Sequence, residues 1–599
     1  MSKYRHGDAV DPHGYGTMTE DDRRRTAVPQ EEPRANRSSR GLMSSAAADI
    51  DLPIEALRVL ATAPKWWARR ACAVGLSGRA TDALESVAAP LPEDIDIEDV
   101  PIREDLLDAS PEQLADAYVT GLAPTVRAKH GRHYTPALLA QELWANVLKT
   151  AGGYPDGLVL DPAAGAGCLL LPPLRTWLAG QRTTDPQLAL AAVTSAVAGR
   201  DLDSAAVWLG NLILSAELLP LWVAVPASRR RKLPALLTVR DGLDTQGPPA
   251  AAIVMNPPYG RVTLTDVDRQ RWAHALTGHA NIYALFLAAA VEQVVAGGVV
   301  TALIPAGWLG GSYFKGLRTI LANQAPPRRV TFVTERGGVF STGALQETVL
   351  ATFVVGGRRT GVHQNRLTVN GHAERKYIGP GALPAQSAEP WLLPRERADV
   401  ALLRIAAKMP HRLADYGWSV STGPLVWNRH KDEIRQKPCK TAVAILWAAD
   451  IDGGKLHRDI RRDSQRYMVP ATPRTRSSHV RTEPAYVLQR TTAPEQARRL
   501  VGASLDQATL DDWGGEIVIE NHVNVLSCPD SSSVLTLRIV DALFASAAVD
   551  RLYRCMTGSV AVSAYELSAL PLPDAEVIES WSALGDADLA VAVDAAYGV

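Results

Sequence analysis

Residues 251–259 read Ala-Ala-Ile-Val-Met-Asn-Pro-Pro-Tyr, and this stretch decides the fold class. Its first five residues are apolar and predict a buried strand. The two prolines stop that strand, because proline has no backbone N–H and a fixed φ. The Asn256 carboxamide is therefore expected at the carboxyl end of a strand, where open α/β sheets build their ligand sites. With Tyr259 three residues later, this edge suits a flat ring that carries an amine; a plain strand-to-loop exit is the alternative.

Strand-like runs recur on both sides of this stretch. Between Lys129 and Gly357, short apolar runs alternate with helical segments. A polar residue or a proline follows each run; the runs cover residues 158–160, 196–199, 236–239, 253–255 and 299–304. Strands that alternate with helices predict an α/β fold with a doubly wound, mainly parallel sheet. The residues that follow the strands should then lie along one edge of that sheet.

A glycine-rich loop follows the first of these strands. It reads Asp-Pro-Ala-Ala-Gly-Ala-Gly over residues 161–167. Gly165 and Gly167 let the backbone turn tightly and approach a ligand closely. Asp161 is placed to accept from an ammonium or a hydroxyl. The loop has neither the spacing of a dinucleotide fingerprint nor the Lys of a phosphate-binding loop.

Two further acids follow the next strands. Asp201 ends the second strand, a position that suits a ribose diol, and Asp203 is the competing candidate. Asp241 ends the third strand and could accept from the adenine amine of a cofactor. A helix cap or a turn is the alternative role for Asp241.

A predicted helix start precedes the glycine loop. Thr135 takes the N-cap position and Pro136 the first position of a helix over residues 137–149. This segment could be a helix start and nothing more. The alternative is that Tyr134 and Thr135 close over the carboxylate end of a cofactor.

The order of these motifs along the chain resembles that of the gamma class of DNA N6-adenine methyltransferases of Type II restriction-modification systems. The order is Tyr134-Thr-Pro136, the glycine loop, Asp201, Asp241 and Asn256-Pro-Pro-Tyr259. The resemblance continues to Glu347–Phe353 and covers roughly residues 125–360. The set is specific as a whole, and the tetrapeptide is its most specific element.

The resemblance implies S-adenosylmethionine as the cofactor, and no metal. Asp161 and the glycines would hold its methionine part, Asp201 its ribose and Asp241 its adenine. The residues implied to bind the cofactor are Tyr134, Thr135, Pro136, Asp161, Pro162, Ala163, Gly165, Gly167, Asp201 and Asp241.

The resemblance also implies a target adenine that is flipped out of duplex DNA. Asn256 and the Pro257 carbonyl would accept from its amine, and Tyr259 would stack on the ring. Because both amine protons are accepted, positive charge on the nitrogen is supported and no covalent nucleophile is needed. Phe340 is the best candidate to close the other face of the ring, with Tyr313 or Phe314 as runners-up. The implied catalytic set is Asn256, Pro257, Pro258, Tyr259 and Phe340.

Four segments are predicted along the chain. Residues 1–48 are polar and rich in Gly, Pro, Arg and Ser, which is typical of a disordered tail. A small helical domain over 49–124 and a Rossmann-like methyltransferase domain over 125–360 follow. Residues 361–599 are expected to form a mixed α/β target recognition domain, whose basic side chains suit phosphate contacts and guanine recognition. They are Arg429, His430, Lys431, Arg458, Arg461, Arg462, Arg466, Arg474, Arg476 and Arg481. A solvated surface is the alternative for them.

The composition is that of an ordinary globular protein. Of 599 residues, 46% are hydrophobic and 21% charged. The net charge is −1, so binding of nucleic acid must come from local basic patches. The five cysteines include no CxxC pair, which argues against a zinc site or a disulfide framework and fits a reducing cytoplasm. No uninterrupted apolar run approaches the roughly 18 residues of a membrane span. A cytoplasmic protein that binds no membrane is therefore expected.

The sequence thus predicts an adenine-specific methyltransferase that acts on double-stranded DNA. We expect a restriction-modification or phage-defence system in which a cognate endonuclease or defence subunit is a separate chain. Two other classes of function are alternatives: a non-catalytic DNA-binding subunit, and a methyltransferase of RNA or of a protein glutamine. N4 of cytosine also fits the geometry, although an Asn in the first position of the tetrapeptide favours adenine.

Overall fold

A nine-stranded sheet forms the centre of the computed structural model. The structure describes residues 52–76, 79, 82, 85–125, 135–335, 347–369, 372–458, 465–491, 498–530, 532–556 and 561–599, which belong to one compact unit, Gly41–Val599. The strands up to residue 381 are β1 (Val159–Asp161), β2 (Val197–Asp201), β3 (Leu237–Val239), β4 (Ala250–Met255), β5 (Arg261–Val262), β6 (Ala280–Asn281), β7 (Val294–Pro305), β8 (Pro327–Glu335), β9 (Thr348–Val354), β10 (Val362–Val369) and β11 (Ala373–Gly381).

The sheet has the strand order β11-β10-β8-β9-β7-β4-β1-β2-β3. β5 and β6 form a separate two-stranded sheet. Strands β3, β2, β1, β4 and β7 are parallel. β9 lies antiparallel between β7 and β8, while β10 is parallel to β8. The predicted α/β fold with a mainly parallel sheet is confirmed.

Helices cover both faces of this sheet. On β4, Ala252 and Val254 join the core of one face, whereas Ile253 and Met255 join the core of the other. Burial on both faces explains why the strand is apolar throughout instead of alternating. The helices up to residue 324 are α1 (Ile54–Ala73), α2 (Pro111–Gly121), α3 (Ala137–Ala151), α4 (Leu171–Gly180), α5 (Pro186–Ala196), α6 (Ser204–Ala224), α7 (Asp266–Arg271), α8 (Ile282–Gln293) and α9 (Lys315–Gln324).

The helices before the glycine loop share a core with the sheet. α1 and α2 pack against α6, and the Trp67 indole N–H donates to the Ser215 hydroxyl at 2.9 Å. Of the described helices, only α6 is long and apolar enough to cross a membrane. Its apolar window is 72% buried in the protein, so α6 is a core helix. The predicted tail, residues 1–48, lies outside the described residues.

Two strands extend the central sheet past residue 360, the predicted end of the catalytic segment. β10 pairs with β8, and β11 pairs with β10, so the sheet continues to Gly381. Along β10, buried residues are interrupted by an exposed His363 and two half-buried residues, as in a strand near the edge of a sheet. This mixed polarity explains why the sequence changes character before the sheet ends.

The remainder of the chain is a mixed α/β region with two further sheets. Its strands are β12 (Ser419–Thr422), β13 (Ile434–Arg435), β14 (Val443–Leu446), β15 (Ile451–Asp452), β16 (Lys455–Leu456), β17 (Tyr467–Met468), β18 (Val480–Arg481), β19 (Ala485–Gln489), β20 (Gly502–Leu505), β21 (Ile517–Ile519) and β22 (Val523–Ser527). The two sheets have the orders β12-β22-β19-β20 and β13-β17-β14-β21-β18, and β15 and β16 form a hairpin. The helices are α10 (Asp399–Ala406), α11 (Pro473–His479), α12 (Gln507–Asp512), α13 (Leu537–Ala545), α14 (Ala547–Met556), α15 (Ala564–Ser568), α16 (Ala575–Trp581) and α17 (Asp586–Ala596).

Candidate active site

Polar residues meet where the parallel strands end. β2, β1 and β4 are neighbours in the sheet and run in the same direction. Asp201 ends β2, Asp161 ends β1, and Asn256 directly follows β4. The three side chains therefore lie along one edge, as the sequence predicts.

The glycine loop is tied to the end of β2. The Gly165 N–H donates to Asp201 Oδ2 at 2.8 Å, and the Ala164 N–H donates to the Arg200 carbonyl at 2.9 Å. Gly165 and Gly167 have φ of +50° and +82°, in the left-handed region that favours glycine. A Cβ at Gly167 would also lie 3.2 Å from a Leu214 methyl carbon. The loop needs glycine at both positions.

Asp161 is a buried carboxyl with one unsatisfied oxygen. Its side chain is fully buried, and Oδ1 accepts from the Ala163 N–H at 3.0 Å. Oδ2 has no hydrogen-bond partner among the described residues. Burial raises the pKa of Asp161 to about 8. A buried acceptor that faces a cleft and lacks a donor fits a cationic group of a ligand.

Asp201 and Asp203, the two competing candidates, have different surroundings. Asp203 is the N-cap of α6: its Oδ1 accepts from the N–H groups of Ala205 and Ala206, at 3.1 and 3.2 Å. Its Oδ2 accepts from the buried Tyr118 hydroxyl at 2.9 Å. Asp203 therefore stabilises α6 and its contact with α2, whereas Asp201 holds the glycine loop.

Asp241 lies in the loop that follows β3. Its Oδ1 accepts from the Leu243 N–H at 2.9 Å, and burial raises its pKa. The next residue, Gly242, touches the loop after β1, because an added Cβ would lie 1.9 Å from the Pro162 carbonyl oxygen. Gly242 was not singled out from the sequence. Its small size lets the loop after β3 approach the Pro162 carbonyl closely.

The Asn256 carboxamide has a partner on each side. Its Nδ2 donates to the Thr135 Oγ1 at 2.9 Å. Its Oδ1 accepts from the Tyr259 hydroxyl at 2.7 Å, and that hydroxyl also lies 3.0 Å from the Leu303 carbonyl oxygen. These contacts fix the plane of the carboxamide at the end of β4.

Thr135 does not cap the helix that follows it, contrary to the sequence prediction. α3 begins at Ala137, Pro136 is its N-cap, and no side chain caps it. The Pro136 carbonyl accepts from the N–H groups of Leu139 and Ala140. The Thr135 hydroxyl is thereby left to hold Asn256, a contact across 121 residues of sequence.

Aromatic rings extend outward from Tyr259. Tyr283 meets Tyr259 edge-on at 6.3 Å and stacks on Phe314 at 5.3 Å. Burial raises the pKa of Tyr259, so its hydroxyl remains a proton donor. Two predicted site residues, Tyr134 and Phe340, lie outside the described residues.

A cleft joins the glycine loop to Asn256. The space between its atoms is about 390 Å³, which includes open solvent at its mouth. Ala115 and Val119 of α2 form part of its wall, and nothing in the sequence pattern pointed to them. The lining residues are Ala115, Val119, Thr135, Asp161, Ala163, Ala164, Gly165, Ala166, Cys168, Leu169 and Asn256.

The basic residues predicted to read DNA differ in their surroundings: His430, Arg458 and Arg481 are half-buried, and others are paired or exposed. Arg466 is buried and pairs with Asp450 at 2.9 Å, and Arg476 pairs with Glu516. Arg466 therefore stabilises the fold. The exposed members are Arg429, Lys431 and Arg474, while Arg461 and Arg462 lie outside the described residues.

Comparison with known proteins finds a family model that matches part of the chain. Residues 251–340, which include the Asn-Pro-Pro-Tyr motif and most of β4, match the family described as Eco57I restriction-modification methylase. The Type II methyltransferase M.BsuBI of Bacillus subtilis is 23% identical over 344 residues, which cover 55% of this chain and 66% of the relative. M.PstI of Providencia stuartii is 22% identical over 352 residues, covering 56% and 68%. The chain thus spans about two thirds of the length of these relatives.

A solved structure shares the fold over most of the chain. The Type IIL restriction-modification enzyme MmeI, in complex with DNA, aligns with a TM-score of 0.50 and 12% identity. The alignment covers 84% of this chain and 83% of that one. It extends beyond the central sheet and includes part of the mixed α/β region.

Proposed function

The chain is a relative of the Type II restriction-modification methyltransferases, and on this premise we propose that it methylates DNA at a specific sequence. The methyl group comes from S-adenosylmethionine, and the acceptor is the N6 amine of an adenine flipped out of the duplex. One observation carries the proposal: the Asn256 carboxamide and the unsatisfied Asp161 oxygen line the same cleft.

The residues around the glycine loop fit the cofactor. S-adenosylmethionine, when bound, supplies an electrophilic methyl group on a sulfonium. Asp161 Oδ2 offers a buried acceptor to the ammonium of the methionine part. Gly165 lets the backbone come close to the ligand, and Asp201 and Asp241 are assigned to the ribose and the adenine. The remaining residues assigned to this cofactor are Tyr134, Thr135, Pro136, Pro162, Ala163 and Gly167.

Asn256 is suited to receive the target amine. A carboxamide oxygen has two lone pairs, so Oδ1 can accept from the amine while it still accepts from Tyr259. Thr135 holds the nitrogen side of the amide and so keeps the oxygen in place. With the Pro257 carbonyl as a second acceptor, both amine protons are bound as positive charge develops on nitrogen.

The rings around the site would enclose the base. Tyr259 is assigned to one face of the adenine and Phe340 to the other. Pro258 is assigned to the turn between the two acceptors, Asn256 and Pro257, and the Tyr259 ring. Catalysis then consists mainly of holding the amine in line with the methyl group. No protein nucleophile takes part.

The C-terminal region is assigned to sequence recognition. Arg429, Lys431 and Arg474 are exposed there and suit contacts with phosphates or base edges. We assign DNA cleavage to a separate endonuclease or defence subunit. The protein would act in the cytoplasm, where bacterial DNA lies.

A transfer assay with isotopically labelled methyl groups tests the proposal. The wild type should label duplex DNA, and Asn256→Ala should reduce the rate by at least about 100-fold, because an acceptor at the developing charge is lost. Binding of S-adenosylmethionine should survive in that variant. Asn323→Ala is the matched control, since Asn323 is exposed on α9. Labelling of RNA or protein but not DNA would contradict the proposal.

A further inference from the structure

Tyr313 is an exposed aromatic residue beside a buried aromatic series. It lies in the short 3-10 turn Ser312–Phe314, and 42% of its surface is exposed. The next residue, Phe314, faces inward and stacks on Tyr283. Tyr283 in turn meets the ring of Tyr259. The inner rings thus contact one another, whereas the Tyr313 side chain is partly exposed to solvent.

Two exposed side chains with nitrogen donors lie close to the Tyr313 ring, Arg261 over the ring and His279 edge-on to it. The Arg261 guanidinium carbon is 5.9 Å from the ring centre, and the His279 ring centre is 5.3 Å away. Both residues are exposed. Gly278 packs closely against the ring, because a Cβ at that position would lie 3.1 Å from two ring carbons. The cluster is a platform that combines a partly exposed aromatic ring with two exposed nitrogen-bearing side chains.

This platform is joined to the Asn-Pro-Pro-Tyr motif through the backbone. Arg261 comes two residues after Tyr259 and pairs with Asn281 in the two-stranded sheet of β5 and β6. The Gly260 carbonyl accepts from the Ile282 N–H at 3.0 Å. Movement of the motif would therefore move Arg261 and His279 as well.

An aromatic ring close to nitrogen donors suits a nucleotide whose base is not paired. Every nucleobase has a π-face that can stack on tyrosine, whatever its identity. Arginine and other nitrogen donors commonly contact the adjoining phosphate. In a duplex from which one adenine has been flipped, the unpaired base that stays behind is its partner on the other strand.

We propose that Tyr313, Arg261 and His279 form a second nucleobase site, which binds the partner of the flipped adenine. Tyr313 stacks on this base, and Arg261 and His279 contact its phosphate. The site stabilises the opened duplex from the strand that is not methylated. This inference rests on the proposed function, and it assigns to Tyr313 a role outside the pocket of the target adenine.

A pair of duplexes tests the assignment with the full-length protein. Both carry the sequence context found to be modified in cells; one has thymine opposite the target adenine, and the other has an abasic site there. Tyr313→Ala should weaken binding of the first duplex roughly 5- to 150-fold, the range expected for one lost stacking contact. On the abasic duplex, it should change affinity less than about twofold, because no base remains to stack.

Two further variants serve as controls. Tyr313→Phe keeps the ring and should bind the intact duplex nearly as the wild type does. Tyr377→Ala removes a tyrosine that is 54% exposed on β11 and should leave the affinity for both duplexes unchanged.

Other outcomes overturn the inference. An equal loss on both duplexes would place the ring against another base, such as the target, and no loss on either would remove it from the interface. Failure of the proposed function looks different, since the wild type would then neither bind nor methylate the intact duplex, and both claims would fall together.

Discussion

Tyr259 links the backbone of one strand to the carboxamide at the end of its neighbour. Its hydroxyl contacts both Asn256 Oδ1 and the Leu303 carbonyl. Tyr259→Phe keeps the ring but releases the carboxamide and removes a donor near the carbonyl. We expect the single-turnover methylation rate to fall about 10-fold, while binding of S-adenosylmethionine stays unchanged.

Comparing Tyr259→Ala with Tyr259→Phe separates the effect of the ring from that of the hydroxyl. Tyr259→Ala removes both groups, so its methylation rate should fall well below that of Tyr259→Phe. Equal rates for wild type and Tyr259→Phe would show that the hydroxyl does not position Asn256.

Asp161 combines the role that we propose for it in cofactor binding with a cost in stability. Because its pKa is raised to about 8 in the folded protein, folding retains a proton that the unfolded chain releases. The stability from this protonated form is complete below pH 4 or so and is lost as pH rises toward 8. Asp161→Asn cannot ionise, so the ligand-free variant should be more stable than the wild type at pH 7.5 by roughly 1 kcal/mol or more.

The same variant should bind S-adenosylmethionine at least about 10-fold more weakly, since the charged acceptor is gone. Denaturant unfolding at pH 7.5 and pH 4.5 measures the first effect, and the gain in stability should shrink at the lower pH. Asp156→Asn, at an exposed position, is the control. A gain of equal size at both pH values would contradict the role of ionisation.

Only part of the candidate active site could be predicted from the sequence. Asp161, Asp201 and Asn256 were predicted because each follows an apolar run at the edge where parallel strands end. The bond between Thr135 and Asn256 could not, because local patterns carry no information on contacts across 121 residues. The assigned roles of all these residues remain predictions.

At the scale of elements, α6 depends on a buried cap. Asp203→Ala removes the acceptor of two helix N–H groups and of the Tyr118 hydroxyl. The free energy of unfolding should fall by roughly 2–3 kcal/mol. Asp185→Ala removes a similar but exposed cap on α5 and should cost about 1 kcal/mol. Affinity for S-adenosylmethionine should stay within threefold for Asp203→Ala; a large loss of binding without loss of stability would assign the ribose to Asp203 instead.

Elements were easier to predict from the sequence where strands are buried on both sides. The apolar runs that end before Asp161 and Asn256 lie on β1 and β4, in the interior of the sheet. β10 and β11 were not predicted as part of the sheet, because a strand near an edge mixes buried and exposed residues. Periodicity alone does not tell such a strand from one in a separate domain.

At the scale of the whole molecule, Arg318 connects α9, which packs beside the central sheet, with the C-terminal region. It is buried on α9 and donates to the Gly311 carbonyl at 2.8 Å and the Ala388 carbonyl at 2.7 Å. It also lies 3.2 Å from the Tyr565 hydroxyl. Arg318→Met should lower the free energy of unfolding by roughly 2–4 kcal/mol, because several buried acceptors lose a charged donor. Arg182→Met, at an exposed position, is the control and should change the free energy of unfolding little. If Arg318→Met were as stable as the wild type, this role of Arg318 would be contradicted.

The central claim is that the molecule places a methyl group on the N6 amine of adenine in a chosen DNA sequence. Modification-sensitive sequencing of DNA from cells that express the chain, with mass spectrometry of the nucleosides, tests it most directly. We expect N6-methyladenine in one sequence context with the wild type, and none with Asn256→Ala. Unmodified DNA, or N4-methylcytosine in place of N6-methyladenine, would contradict it.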